Sequence, residues 1–342
     1  MYSDYDDIGD VVTMAHGSGG QASHELMEKV LLPAFDNDIL HELHDGAKLH
    51  LNTNKIAFST DSYVVKPLFF AGGNIGKLAI CGTVNDLAMT GAVPKYISVG
   101  MIIEEGFSID KLKEIVKTMR QMADEAGVYI VTGDTKVVNK GCADGIFINT
   151  AGVGELIDNV NISPLRARAG QAIIVSGYLG DHATTIMASR HELELPEGIK
   201  TDCAPLNHMV EEMLKTVPDI AVLRDPTRGG VAAVLNEIAT QAQVGILLEE
   251  DAIPVREEVK GFCDILGFDP LYLANEGKLI AFVDERDSQK VLEIMHKYKC
   301  GENAKIIGKV IDKAKGEVGL RTAVGGIRIV DMPQGEQIPR IC

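Results

Sequence analysis

Apolar residues change their spacing along this chain in a way that marks out its elements. Between Ser108 and Gly127, the residues Leu112, Ile115, Val116, Met119, Met122 and Ala123 recur at three- and four-residue intervals. That spacing predicts an amphipathic helix with Ser108 as its N-cap and Gly127 as its stop. Leu78, Ala79, Val84 and Leu87 predict a second helix over 74–90, and a shorter one is expected over 23–32. Short apolar runs at 56–60, 96–103, 128–131 and 146–153 predict strands. The polar segment SPLRARAG at 163–170 interrupts the pattern and is the expected domain boundary. Beyond it, strands at 172–176, 244–248, 278–283 and 305–310 alternate with helices starting near 181, 205, 229, 255 and 288. This alternation predicts layered α/β or α+β architecture.

Length and composition narrow the picture. A chain of 342 residues suits two domains, and a hydrophobic share of 46% excludes a disordered chain. Lys and Arg total 33 against 49 Asp and Glu, a net charge of −16, with no Trp. Such a surface repels nucleic acid. No apolar run is long enough to cross a membrane and no signal peptide is visible, so a cytoplasmic protein is expected. The six cysteines have no metal-type spacing, and five of them read as buried thiols. Cys342 stands apart as the terminal residue of DMPQGEQIPRIC (331–342), which is expected to be a flexible tail with a reach of about 40 Å.

The usual nucleotide signatures fail. GGNIGKL (72–78) is one residue short of a P-loop and lacks its Ser or Thr, and Gly17-x-Gly19-x-x-Ala22 has no preceding strand. What remains is a set of acids following short apolar runs: Asp61, Asp86, Asp134 and Asp225. Any one of them reads as a turn or cap; four in one acidic chain point to oxygen ligands for Mg²⁺ facing a triphosphate. His16, Gly17, Gly19 and Gly20 in HGSGG are expected to offer backbone N–H groups to phosphate oxygens. Asp225-Pro-Thr227-Arg228 adds a hydroxyl and a guanidinium beside a helix start. Lys136 and Glu276 read equally as surface charge and a solvated turn residue. His182 reads as a helix-start residue, with lining of the cleft as the alternative.

Taken in order, AHGSGG (15–20), FSTDSYVVKPLFF (58–70), GNIGKLAICGTVNDLAMTGAVP (73–94), VTGDTKVV (131–138), DPTRGG (225–230), ANEGK (274–278) and the terminal PRIC (339–342) resemble the HypE family of hydrogenase maturation proteins. That family belongs to the ATP-binding superfamily of aminoimidazole ribonucleotide synthetase and selenophosphate synthetase. The resemblance spans essentially the whole chain. It implies a PurM-like fold: a segment 1–40, an N-terminal domain 41–162 whose strands build a dimer-spanning barrel, and a C-terminal α/β domain 163–330, with ATP in the cleft between. It also implies ATP-dependent dehydration of a thiocarbamate on Cys342 to a thiocyanate, the cyanide source for the iron of [NiFe]-hydrogenase. HypF is the implied carbamoyl donor and HypC–HypD the implied acceptor. Under this reading Asp61, Asp86, Asp134 and Asp225 hold metal and Glu276 is the base. Lys136 stabilises developing charge, while Asn85, Thr227 and Arg228 join HGSGG on the nucleotide. A selenophosphate synthetase lacks support, because no cysteine precedes Cys81. A non-catalytic docking scaffold requires neither the acids nor the terminal thiol.

Overall fold

The computed structural model describes residues 8–42, 46–334 and 341; Cys342 lies outside the described residues. A 3₁₀ turn (Met14–Gly17) leads to α1 (Gln21–Leu26), a π-helical turn (Met27–Leu31) and α2 (Leu32–Phe35). Then follow β1 (Ile56–Tyr63), the short β2 (Phe69–Phe70) and β3 (Gly73–Asn74), α3 (Ile75–Met89) and β4 (Ala92–Glu104). The first half closes with α4 (Ile109–Ala126), β5 (Tyr129–Val138) and β6 (Ile146–Leu156). Ser108 caps α4 and Gly127 ends it in the left-handed region at φ 70°. Asn74 caps α3 by accepting from Gly76 and Lys77 N–H.

Four of these strands form a sheet in the order β1-β6-β4-β5. On one face Ile97, Val99, Met101 and Ile103 alternate into a core shared with α3 and α4. On the other face Phe58 is 67% exposed and Ile102 43%. The sheet is therefore apolar on both sides but covered on one.

The second half contains β7 (Gln171–Val175), α5 (Asp181–Arg190), α6 (Asn207–Thr216), β8 (Val222–Arg224), α7 (Gly230–Ala242) and β9 (Gly245–Glu249). It continues with α8 (Glu257–Leu266), β10 (Ile280–Asp284), α9 (Glu285–Met295), β11 (Lys305–Ile311), β12 (Val318–Arg321) and β13 (Ile327–Ile329). Seven strands form a mostly antiparallel sheet, β13-β12-β9-β11-β7-β10-β8. Its strands are apolar at consecutive positions because both faces are covered. Ile173, Val175, Ile280 and Phe282 pack in one cluster with α7, and Ile174, Ala281 and Val283 in another with α6 and α9.

The structure corrects one aspect of the sequence reading. Asp61 lies inside β1 and Asp134 inside β5, and Asp86 lies inside α3; only Asp225 directly follows its strand. Within the expected tail, Ile341 is only 3% exposed.

Gly76 lies where α3 crosses α4. A Cβ there would sit 2.6 Å from the Ile115 carbonyl oxygen and 2.8 Å from Met119 Cγ. Alanine gains about 1 kcal/mol in helix propensity, but overpacking against a rigid backbone costs about 1–3 kcal/mol. Gly76→Ala is expected to lower the urea midpoint without changing the slope of the transition.

Candidate active site

The acids converge around the C-terminal half of α3. Strand β1 turns Asp61 to its covered face, the face of Ala57 and Tyr63, because residues alternate along it. Ser59, two residues earlier on that face, donates its hydroxyl to Asp86 at 2.8 Å. Asp225 follows β8, and Glu276 sits in the loop before β10. Burial raises the pKa of Asp86, and Asp61 raises it further, against Ser59, Arg224 and Arg228. Burial, with Asp86 and Asp61 beside it, pushes Asp225 up to about 7. Glu276 is held well above the carboxylate range by burial and then by Cys203, Asp202, Asp225 and Asp61. It is 4% exposed, and among the described residues its Oε1 has no hydrogen-bond partner.

Glu276 is positioned by its neighbours in ANEGK and by Asp202, which carries no sequence signal. Asp202 accepts from the N–H groups of Glu276 (3.1 Å) and Gly277 (3.3 Å), and the buried Lys278 ammonium faces it at 3.6 Å. Gly277 is required there, because a Cβ would lie 1.9 Å from the Asp202 carbonyl oxygen. Asn275 accepts from Gly180 N–H and donates to the Pro226 carbonyl, tying the Asp225 loop to the start of α5. Asn85 is also committed: it accepts from Leu206 N–H and donates to the Ala204 and Glu276 carbonyls. The structure gives it the role of a strap between α3 and the second sheet. Thr227 and Arg228 lie beside the acids; Arg228 is exposed and close enough to lower the Asp86 pKa.

The other candidates lie elsewhere. Asp134 pairs with Gly100, and Lys136 with Ile102, so both point to the uncovered face of the sheet. They are exposed and form an ion pair at 3.4 Å. Asp61 lies across the sheet on the opposite edge, three strand spacings or roughly 14 Å away. His16 is buried and its Nδ1 accepts from Thr13 N–H at 2.9 Å. Gly17 packs on β5, where a Cβ would be 2.7 Å from Val137 N. Gly19 takes φ +79°, its N–H donates to Ser23, and Gly20 caps the six-residue α1. The candidates thus form two groups within one chain: acids and Glu276 beside α3, and HGSGG with Asp134 and Lys136 along β5. An apolar cavity of about 290 Å³ beneath the N-terminal helices, lined by Met27, Leu31, Phe35 and Ile130, extends along β5 to Asp134.

Models described as AIR synthase related protein, N-terminal and C-terminal domain, match residues 43–156 and 168–321. The chain is 48% identical over 334 residues to carbamoyl dehydratase HypE of Rhodobacter capsulatus, covering 97% of this chain and 98% of that protein. The chain belongs to the HypE family. A crystal structure of hydrogenase maturation protein HypE in complex with ATP superposes with a TM-score of 0.94 at 49% identity, covering 96% of this chain and 99% of that one. A HypE–HypF complex structure matches with a TM-score of 0.80 at 48% identity, covering 90% and 99%. The PurM-like two-domain fold is that of the family.

The Asp225 shift has a sign that can be tested. With a folded pKa near 7 against an ordinary value of 3.8, the native state binds the extra proton between those limits. Its contribution to stability is complete below the lower value and is lost as pH rises to about 7. Asp225→Asn is therefore expected to raise the melting temperature by a few degrees at pH 8 and to leave it unchanged near pH 4 in differential scanning fluorimetry. Mg²⁺ with nucleotide should remove the difference.

Proposed function

We propose that this protein is a carbamoyl dehydratase that uses ATP to convert a carbamoyl group on the Cys342 sulfur into a thiocyanate. The observation that carries the reading is a buried Glu276 carboxyl whose Oε1 has no hydrogen-bond partner among the described residues, beside other acids. In the same protein, Ile341, next to the terminal cysteine, is buried, with its carbonyl oxygen 2.9 Å from His182 Nε2 on α5. A docking scaffold needs none of this.

Mg²⁺ fits the donor set. Among the described residues no three His, Cys, Asp or Glu side chains converge as a preformed metal cage. Mg²⁺ uses one or two carboxylates and takes its remaining ligands from phosphate and water, and Asp61, Asp86 and Asp225 are the candidates to supply those carboxylates. When bound, it supplies positive charge to the phosphates that these acids would otherwise repel. Arg228 offers a further cation to the same phosphates.

In the dehydration of –S–C(O)–NH₂, the γ-phosphoryl group passes to the carbamoyl oxygen, which then leaves as phosphate. The nitrogen gives up both protons as the C≡N bond completes, and ATP ends as ADP. Glu276 is the proposed acceptor of a nitrogen proton; the raised pKa makes its ionised form a strong base. The protein keeps water from the carbamoyl group by burying the residues around it.

The uncovered sheet face fits a homodimer. Pairing two such faces would bury Phe58 and Ile102 from each copy. In a barrel closed about a two-fold along its axis, β5 of one copy adjoins β1 of the other. HGSGG, which packs on the covered face of β5 at Val137, would then approach the acid group from the second copy, whereas Asp134 and Lys136 face the barrel interior. HypF as carbamoyl donor agrees with the HypE–HypF complex. HypC–HypD is the proposed acceptor of the cyano group for the iron of [NiFe]-hydrogenase. No helix among the described residues is long and apolar enough to cross a membrane, and a cytoplasmic site of action is part of the proposal.

Mass spectrometry of the C-terminal peptide tests the chemistry. After carbamoylation and ATP addition, the adduct should lose the mass of one water, and an unchanged adduct would favour the scaffold. Glu276→Gln should slow that loss by about 10²–10⁴-fold at unchanged nucleotide affinity. Cys342→Ala should bind nucleotide and carry no adduct. For the dimer, Phe58→Glu should shift sedimentation toward a monomer; a dimer of unaltered affinity would remove this face from the interface.

A further inference from the structure

His182 occupies a place that the acids and Glu276 leave unexplained. It is fully buried near the start of α5, in edge-on contact with Phe70 at 5.7 Å between ring centres. Its Nδ1 lies 2.8 Å from Thr201 Oγ1, and its Nε2 lies 2.9 Å from the carbonyl oxygen of Ile341.

The bonding assigns the proton. A carbonyl oxygen only accepts, so Nε2 must carry hydrogen. Burial lowers the pKa of the ring, Arg190 adds to this, and Asp202 opposes it. With the imidazole neutral, Nδ1 accepts from the Thr201 hydroxyl. Thr201 Oγ1 in turn accepts from Cys203 N–H at 3.1 Å. A continuous relay thus runs from Cys203 N–H through Thr201 and His182 to the penultimate carbonyl of the chain.

The relay is joined to the proposed site. Thr201 adjoins Asp202, whose carboxylate holds the backbone of Glu276. Ile341 also belongs to the apolar cluster that contains Ala183, Cys203 and Ala274. Consecutive Cα atoms are about 3.8 Å apart across a trans peptide, so fixing the Ile341 carbonyl restricts where residue 342 can lie.

We infer that His182 is the positioning residue that docks the C-terminal carrier, with Nε2–H gripping the Ile341 carbonyl and Thr201 fixing the ring. This inference rests on the carrier role proposed for Cys342. Its test separates the two. Alkylation of Cys342 by iodoacetamide, followed by mass spectrometry of the C-terminal peptide, reads docking with no dehydration step. His182→Asn retains an amide at the reach of Nδ1 and lacks the Nε2 donor; it should react roughly three- to tenfold faster than wild type, the loss expected for one buried hydrogen bond. His182→Gln carries an amide N–H at the reach of Nε2 and should react near the wild-type rate. In single-turnover assays of carbamoylated protein, Asn should slow dehydration at unchanged nucleotide affinity, and Gln should restore it. A merely structural histidine would not separate the two amides. Equal alkylation rates for wild type, Asn and Gln would overturn the latch even in a protein that dehydrates normally. A wild type that fails to dehydrate, yet shows the alkylation split, would leave docking standing and remove the carrier chemistry.

Discussion

Like charges gathered out of water are the condition from which this structure follows. Burial is the largest cause that raises the pKa of Asp86, Asp225 and Glu276, and neighbouring carboxylates, Asp61 among them, raise each further. Two carboxylates a few ångströms apart repel by several kcal/mol at intermediate dielectric, and removing either from water adds to that. A protein keeps such an arrangement when something positively charged completes it. The lone Oε1 of Glu276 fits the same logic, because an orphaned buried oxygen is costly unless a substrate atom takes the vacant bond.

Holding these groups against their repulsion falls to neutral amides and one paired charge. Asn85 binds α3 to the segment before α6, Asn275 binds the Asp225 loop to α5, and Asp202 with Lys278 binds the backbone beneath Glu276. Each connection joins segments far apart in sequence, so the acids are fixed by the meeting of the two sheets. A misplacement of about 1 Å is enough to lose much of the rate of a positioned reaction. The buried straps therefore bear on the chemistry without touching it.

Local pattern made the helices legible. Residues 109–126 carry the apolar stripe, the serine cap and the glycine stop together, and the structure has each of them. Strand lengths were less legible. Val128–Val131 reads as a short strand because its apolar residues end there, yet pairing with β4 carries β5 to Val138. That extension sends Asp134 to the uncovered face, opposite to Asp61, which residue type alone does not reveal. Asn85 looks like a ligand in Val-Asn-Asp and is a strap because of Ala204 and Leu206, over a hundred residues away. Asp202 and Thr201 lie in a loop without periodicity, and their roles exist only in three dimensions. Residue type alone singles out the acids, whereas Glu276 reads as a turn residue and takes its role from the resemblance at ANEGK; the grouping of these side chains is not legible in the sequence.

A carrier must enter its site and also leave it, which limits how firmly the tail is held. Burying an isoleucine side chain contributes about 1.5–3 kcal/mol, and Ile341 is buried. One hydrogen bond adds about 0.5–1.5 kcal/mol net. Ordering two or three terminal residues costs about 1–2 kcal/mol each. The terms nearly cancel, so docking is favoured by no more than about a few kcal/mol and the tail can still be released. A second strong contact would trap the cargo, and loss of the histidine donor would leave the apolar side chain to set the position alone. The single bond from a neutral imidazole suits a terminus that has to be placed accurately and then given up.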